Sequence, residues 1–300
     1  MKHVHGALLF ACVISTFPAY ARAELDSITN AETGLIWAGC GVTKTAFMAE
    51  LASAYEKKTG THIELKGGGA TKGIRDVAKK KIDIGGACRT SMEFNTDERY
   101  VKQIPVAWDA IVFIVNKNNP INDISIAQVR DIYNGKITNW KMVGGNNEPI
   151  ELYVRQSKIS GVGQTLRELV FNDYDKVFTR RAHTVKSSGP AEQAVEESPL
   201  AFTASGISSA RRRNVKILSV NGTLPDFDHI RNGDYMLYRP LYLVIRMGER
   251  NPKVLDFISF ATGKEGMEVI RKTGTVPYAD ALNLLSKRYL QYIGAISSGL

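Results

Sequence analysis

Cysteine and histidine, the residues behind most nucleophilic and metal chemistry, are scarce: 3 and 5 among 300 residues. No G-x-S-x-G, H-E-x-x-H or C-x-x-C sequence occurs, which excludes a serine-hydrolase elbow, a zincin helix and a thioredoxin-type redox centre. Beyond residue 23 the histidines are His62, His183 and His229, too scattered in sequence to suggest a metal set or a general base. Residues 67–73 are glycine-rich but lack the Gly-Lys-Ser/Thr ending of a phosphate loop. No nucleotide or other cofactor is therefore expected. Long apolar runs are missing too: after the N-terminal segment no stretch is long and apolar enough to cross a membrane.

What is present begins with an export signal. Lys2, the short apolar run 6–17 and the triplet Ala21-Arg22-Ala23 read as a cleaved signal peptide, residues 1–23, implying a periplasmic protein. A rival reading takes Leu9-Phe10-Ala11-Cys12 as a lipoprotein signal anchored at Cys12, but it leaves almost no apolar run before the cysteine. The 277 residues left of the 300 permit one large domain or two lobes. Their net charge is +7, the whole-chain +9 less Lys2 and Arg22. Spread over an exported protein, that surplus suits a small anion better than nucleic acid. The densest basic run, Arg211-Arg212-Arg213, reads as a solvated loop. Cys40 and Cys88 survive cleavage, and they form one disulfide or stand free for chemistry.

Apolar periodicity alternates between strand and helix. Residues 35–38 read as a buried strand ending at Gly39-Cys40-Gly41, and Phe47, Leu51 and Tyr55 then recur at helical spacing until Gly60. A strand at 63–65 is broken by Gly67-Gly68-Gly69 before a helix carrying Ile74, Val77 and Ala78. Ile82-Asp83-Ile84 reads as a third strand, closed by Gly85-Gly86. Later come a continuous apolar strand at 110–115, a helix capped by Ser125 and Gln128, strands at 150–154 and 241–245, and a helix after Pro252. Strand, glycine turn and helix in repetition predict a parallel α/β architecture. No composition shift marks a linker, as expected of a chain that crosses between two lobes more than once.

Three strand-to-helix turns share one composition: Gly39-Cys40-Gly41-Val42-Thr43-Lys44, residues 67–72, and Ser160-Gly161-Val162-Gly163-Gln164-Thr165. In an open α/β sheet such turns gather at the carboxyl ends of the strands. There the first amides of each helix lack intrahelical partners and the helix dipole favours negative charge. Thr43, Thr71 and Ser160 can add hydroxyl contacts, and Arg155, after the strand at 150–154, a charge-assisted one. Any one of these turns could be a tight turn and nothing more; the three together point to an oxyanion pocket.

The sequence also resembles the phosphate-binding protein of bacterial phosphate ABC transporters, across nearly the whole exported chain. The resemblance is carried by Ala107-Trp108-Asp109-Ala110-Ile111-Val112, by Asp131-Ile132-Tyr133-Asn134-Gly135-Lys136-Ile137-Thr138-Asn139-Trp140, by Tyr238-Arg239-Pro240-Leu241-Tyr242-Leu243 and by Gly274-Thr275-Val276-Pro277. It implies a non-catalytic α/β protein of the two-lobed periplasmic binding fold, with two crossover strands and the ligand cleft between lobes. Lobe 1 is then expected from 24–107 and 237–300, and lobe 2 from 108–236. Position by position, Thr43 takes the family's ligand threonine, and Lys44 replaces the residue after it. Ala70 stands at a ligand serine with Thr71 beside it. Arg155 and Ser160-Gly161 match an arginine and a Ser-Gly pair, while Val162 replaces a threonine.

The sharpest departure is Cys88, in Ile84-Gly85-Gly86-Ala87-Cys88-Arg89, at the position of the family's ligand aspartate. A carboxylate can accept the hydrogen of a protonated phosphate, whereas a thiol accepts poorly and a thiolate repels the anion. Thiolates favour soft, thiophilic centres. Arg89 and the nearby helix N-termini should lower the Cys88 pKa. The Gly-Gly-Ala-Cys-Arg run is similar to the arsenite-binding sensory proteins associated with arsenite oxidase genes. That resemblance implies Cys88 as direct arsenic ligand, with Arg89, Thr43, Lys44, Thr71, Arg155, Ser160 and Gly161 around it, in a monomer that serves a membrane sensor kinase. The other reading keeps phosphate or arsenate as ligand and an ABC permease as partner. The residues alone leave open Cys88 as a small buried apolar side chain, a Cys40–Cys88 disulfide, and a thiol enzyme with Cys88 as nucleophile, for which no histidine base is placed nearby.

Overall fold

The computed structural model describes residues 34–92 and 95–288, and in them strand and helix alternate as the periodicity predicts. The signal segment 1–23, with the Cys12 alternative, lies outside the described residues. The chain opens with β1 (Leu35–Gly39) and a continuous helix α1, composed of Gly41–Thr43, a π-helical turn Lys44–Met48 and Ala49–Thr59. β2 (Ile63–Lys66), α2 (Gly69–Ala78), β3 (Ile84–Ala87) and the long β4 (Val101–Asn116) follow. Then come β5 (Asp123–Ile124), α3 (Ile126–Asn134), β6 (Glu151–Arg155), α4 (Gly161–Leu166), β7 (His183–Val185), α5 (Ser188–Glu197), β8 (Ala201–Gly206) and α6 (Ile207–Ala210). The last elements are β9 (Val215–Ile217), β10 (Ser219–Val220), α7 (Phe227–Asn232), β11 (Tyr238–Arg246), α8 (Pro252–Thr262), α9 (Lys264–Lys272) and β12 (Val276–Pro277). No helix of the described residues is long and apolar enough to cross a membrane.

β4 organises the sheet. Its first part pairs antiparallel with β11, from Val101↔Arg246 to Ala110↔Tyr238, and its second part with β8, from Ile111↔Gly206 to Val115↔Phe202. The partners change at the Ala110–Ile111 peptide. The full order is β2-β1-β3-β11-β4-β8-β6-β7. β1 is parallel to β2 and β3, and β3 is antiparallel to β11, so these three strands run with β4 and end facing the second half. β6 is parallel to β7 and β8, and β8 runs against β4, so these ends point back. Two sets of carboxyl ends therefore face each other across one cleft, the two-lobed arrangement of a periplasmic binding fold. β4 carries the chain across once; the segment before β11 brings it back, with the Ile111 amide donating to Leu237 O at 2.9 Å.

Each half has its own aromatic core. Trp108 stacks on Tyr278 at 4.9 Å, while Phe202 stacks on Phe113 at 5.7 Å and meets the edge of Trp140; such pairs add about 0.5–1.5 kcal/mol each beyond their burial. The capping box of α3 forms as expected, and Gly135 ends that helix at φ 76°.

Two expectations need correction. The third strand is not 82–84 closed by Gly85-Gly86: both glycines lie within β3. A Cβ on Gly86 would stand 2.2 Å from the Trp37 ring, so that glycine permits close packing rather than a turn. β4 begins well before the apolar run at 110–115, because pairing with β11 overrides the polar Lys102 and Gln103 and the Pro105 that hide it in sequence.

Candidate ligand-binding cleft

A cavity of about 720 Å³ lies where the strand ends meet. The turn after β1 contributes Cys40, Gly41 and Lys44; the turn after β2, Gly67 to Thr71; the end of β3, Cys88; and the turn after β6, Arg155, Ser160, Gly161 and Val162. All three predicted turns converge here. A fourth joins them after β7, Lys186-Ser187-Ser188-Gly189. It has the same hydroxyl-and-glycine composition, but its strand is too short and exposed to stand out. Arg212 and Arg213 lie in the exposed turn expected of a solvated loop, and both also line the cavity. Arg212 Nη2 donates to Thr45 O at 3.0 Å, and Arg213 pairs with Glu192 and Glu196 at 3.3 and 3.2 Å.

At the floor of the cleft stand two free, buried cysteines. Cys40 is the N-cap of α1: its sulfur accepts from the Thr43 amide at 3.3 Å and lies 2.7 Å from Thr43 Oγ1. The side chains of Cys40 and Cys88 lie close enough for each to shift the other's titration. Burial, reinforced by Cys88, pushes the Cys40 thiol well above the ordinary range. Cys88 moves the other way. The hydrogen bond from Cys40 outweighs burial and, with attraction to Arg239, brings its thiol down to about 7. Arg89, expected with the helix N-termini to lower it, does so but less than Arg239. Ultraviolet thiolate absorbance should therefore rise in one step near pH 7 and in a second well above the ordinary thiol range, with Cys88→Ser removing the first. Two overlapping steps at the ordinary value would contradict this arrangement.

Arg239 and Asp109 support Cys88 from below. Both are fully buried, with Arg239 Nη2 3.0 Å from Asp109 Oδ2. Arg239 Nη1 also donates to Cys88 O at 3.2 Å and to Gly161 O at 3.4 Å, tying the two sides of the cleft together. Both residues stand in runs that carried the family resemblance, yet nothing in the sequence gave them a role.

Arg155, the last residue of β6, is 6% exposed. Its Nη2 donates to Ser188 Oγ and Ala204 O, whereas Nη1 has no hydrogen-bond partner among the described residues. Ser160 caps α4, accepting from the Gly163 amide at 3.1 Å. Gly161 closes over the thiol: a Cβ there would lie 2.2 Å from Cys88 Sγ.

Two expected ligands do not reach the cavity. The Arg89 guanidinium is taken by Glu98, at 2.8 and 2.9 Å, and by Ile159 O, also at 2.9 Å. A buried carboxylate holds that charge where an anion could not displace it. Thr43 is wholly buried, its hydroxyl turned to Cys40. Thr71 lines the cavity but spends its hydroxyl proton on Ile159 O at 2.9 Å. The three histidines are engaged elsewhere: His62 with Glu56, His229 with Asp226, and His183 stacked on Tyr153.

A family profile for the PBP superfamily domain matches residues 29–265. The chain belongs to the PBP superfamily. The phosphate-binding protein PstS of Borreliella burgdorferi is 28% identical over 247 residues, covering 79% of this chain and 87% of that protein. Among solved structures, a putative phosphate ABC transporter substrate-binding protein with bound phosphate from Clostridium perfringens aligns with a TM-score of 0.75 and 26% identity, over 81% of this chain and 99% of that one. An ABC-type phosphate transport receptor from Vibrio cholerae aligns at 0.64 and 25%, over 81% and 99%. As a PBP-superfamily protein of this phosphate-binding-like branch, the chain is a binding protein rather than an enzyme.

Proposed function

We propose that this chain is a periplasmic receptor for a small inorganic oxyanion and that its ligand is arsenite, held through Cys88. The observation that carries the reading is a reduced cysteine on the cleft floor with its thiol drawn toward thiolate. Arsenous acid exchanges a hydroxide for sulfur: an S–H and an As–O bond break, an S–As bond forms, and water leaves. Arg155, Ser160 and Lys44 line the same cavity and donate to the remaining oxygens. Tightening of the cleft then presents an altered surface to a membrane sensor kinase, as far as ligand affinity differs between the two arrangements.

A second reading, phosphate or arsenate handed to an ABC permease, is favoured by the relatives, whose names are those of phosphate-binding proteins. Against it stands the lack, among the described residues, of a free carboxylate in the cavity to accept the proton of a hydrogen phosphate. Among the described residues, the one carboxylate lining the cavity is Glu192, already engaged by Ser205 and Arg213.

Calorimetry of the reduced protein separates the readings. Arsenite is expected to bind, phosphate and arsenate are not, and Cys88→Ser should lose at least about 100-fold in arsenite affinity, roughly 2.8 kcal/mol. Binding of phosphate alone, or full arsenite affinity in Cys88→Ser, overturns the arsenite assignment.

A further inference from the structure

Arsenite capture by Cys88 uses one sulfur; the cleft holds two. β1 and β3 pair in register, Ala38↔Gly85 and Gly39↔Gly86, and the Cys40 amide donates to Gly86 O at 3.1 Å. The ladder thus delivers the residues that follow the two strands to neighbouring positions. Both cysteines line the cavity and both are free, and each shifts the other's titration. Building on the arsenite reading, we propose that Cys40 and Cys88 act together as a two-sulfur site. Its ligand class is pyramidal trivalent arsenic or antimony bearing two or more exchangeable hydroxides, including monoorganyl arsenicals R–As(OH)₂.

The chemistry balances without a redox partner. Two S–H and two As–O bonds break, two As–S bonds form, and two waters leave; arsenic stays trivalent. Its third position keeps a hydroxide or an organic group, for which a cavity of about 720 Å³ leaves ample room. Three features favour such a neutral centre. Lys44 and Arg155 line the cavity beside the thiols and add positive charge, which opposes a dication. No three His, Cys, Asp or Glu side chains gather among the described residues to make a closed zinc-type site. Arg155, 6% exposed and lining the cavity, keeps an unpartnered Nη1 that can meet the remaining oxygen.

Phenylarsine oxide is the probe, because its arsenic offers two exchangeable positions and holds tightly only to paired thiols. Wild-type protein is expected to form a one-to-one adduct, heavier by phenylarsine oxide less one water. The adduct should survive excess mercaptoethanol and be released by dimercaptopropanol. Serine at position 40 still caps α1, so Cys40→Ser should fold, and it and Cys88→Ser should each lose about 100-fold in affinity for the probe. Arsenic X-ray absorption of the wild-type arsenite complex needs no variant and should count two sulfur neighbours. One sulfur neighbour, or a mercaptoethanol-resistant adduct in Cys40→Ser, overturns the two-sulfur site while leaving Cys88 as a single ligand. Capture of phenylarsine oxide without capture of arsenite keeps the two-sulfur site and removes arsenite as the natural ligand.

Discussion

Gly161→Ala is expected to weaken thiol-dependent ligand capture severely while leaving the protein folded. The added methyl would stand 2.2 Å from Cys88 Sγ and 3.3 Å from Ala70 Cβ. The first distance is far inside contact, and the cheapest relief is rotation of Cys88 about its single side-chain torsion. That rotation should move the sulfur away from its present place beside Gly161 and disturb its coupling to Cys40. Overpacking of this kind costs about 1–3 kcal/mol of stability, which a folded domain tolerates. Arsenite affinity should fall by about 100-fold or more, roughly 2.8 kcal/mol. The thiolate step near pH 7 should move upward, because the hydrogen bond from Cys40 is the largest influence holding it down. Calorimetry, a thermal melt and the ultraviolet titration read these three effects on one sample. A variant that binds arsenite as wild type does would show that the sulfur never faced Gly161.

Asp109→Asn should produce the largest loss of stability. Asp109 is wholly buried; one oxygen accepts from the Ser208 amide and hydroxyl, at 3.1 and 2.7 Å, and the other from Arg239 Nε and Nη2, at 3.3 and 3.0 Å. An amide leaves the Arg239 guanidinium without a counter-charge and turns two donors on neighbours that themselves donate. Breaking a buried pair in this way costs about 3–5 kcal/mol. At roughly 2–4 °C per kcal/mol for a protein near this size, melting should fall on the order of 10 °C. A second effect has the opposite flavour. The Asp109 charge pushes the Cys88 thiol up, so its removal should bring the first thiolate step below pH 7 in a protein that is less stable. An unchanged melting point together with an unmoved titration would show that the pair is not made.

The architecture was legible because its signals are local. Alternating strand and helix periods with glycine turns specified the parallel halves, and the topology of those halves compels the turns to meet. Ser125, Gln128 and Gly135 bounded their helix by capping chemistry alone. The site was legible in its turns but not in its allegiances. Whether Arg89 faces a ligand or a carboxylate depends on Glu98, which an intervening loop returns to it, and no spacing rule reports that closure. That Arg212 and Arg213 also line the cleft was hidden because their partners, the Thr45 carbonyl on α1 and two acids on α5, lie earlier in the chain. Cys40 and Cys88 carry no mutual motif; their meeting follows from the β1–β3 register, which becomes visible only with the sheet.

The carbonyl of Ile159 receives two donors from the opposite half of the molecule, Thr71 Oγ1 and Arg89 Nε, each at 2.9 Å. These bonds run directly from one half of the molecule to the other. Apparent affinity scales with the share of molecules already competent to bind, so a built-in clasp of this kind sharpens capture at low solute. An Arg89 variant that loosens the clasp should therefore capture its solute more weakly in a titration at low concentration.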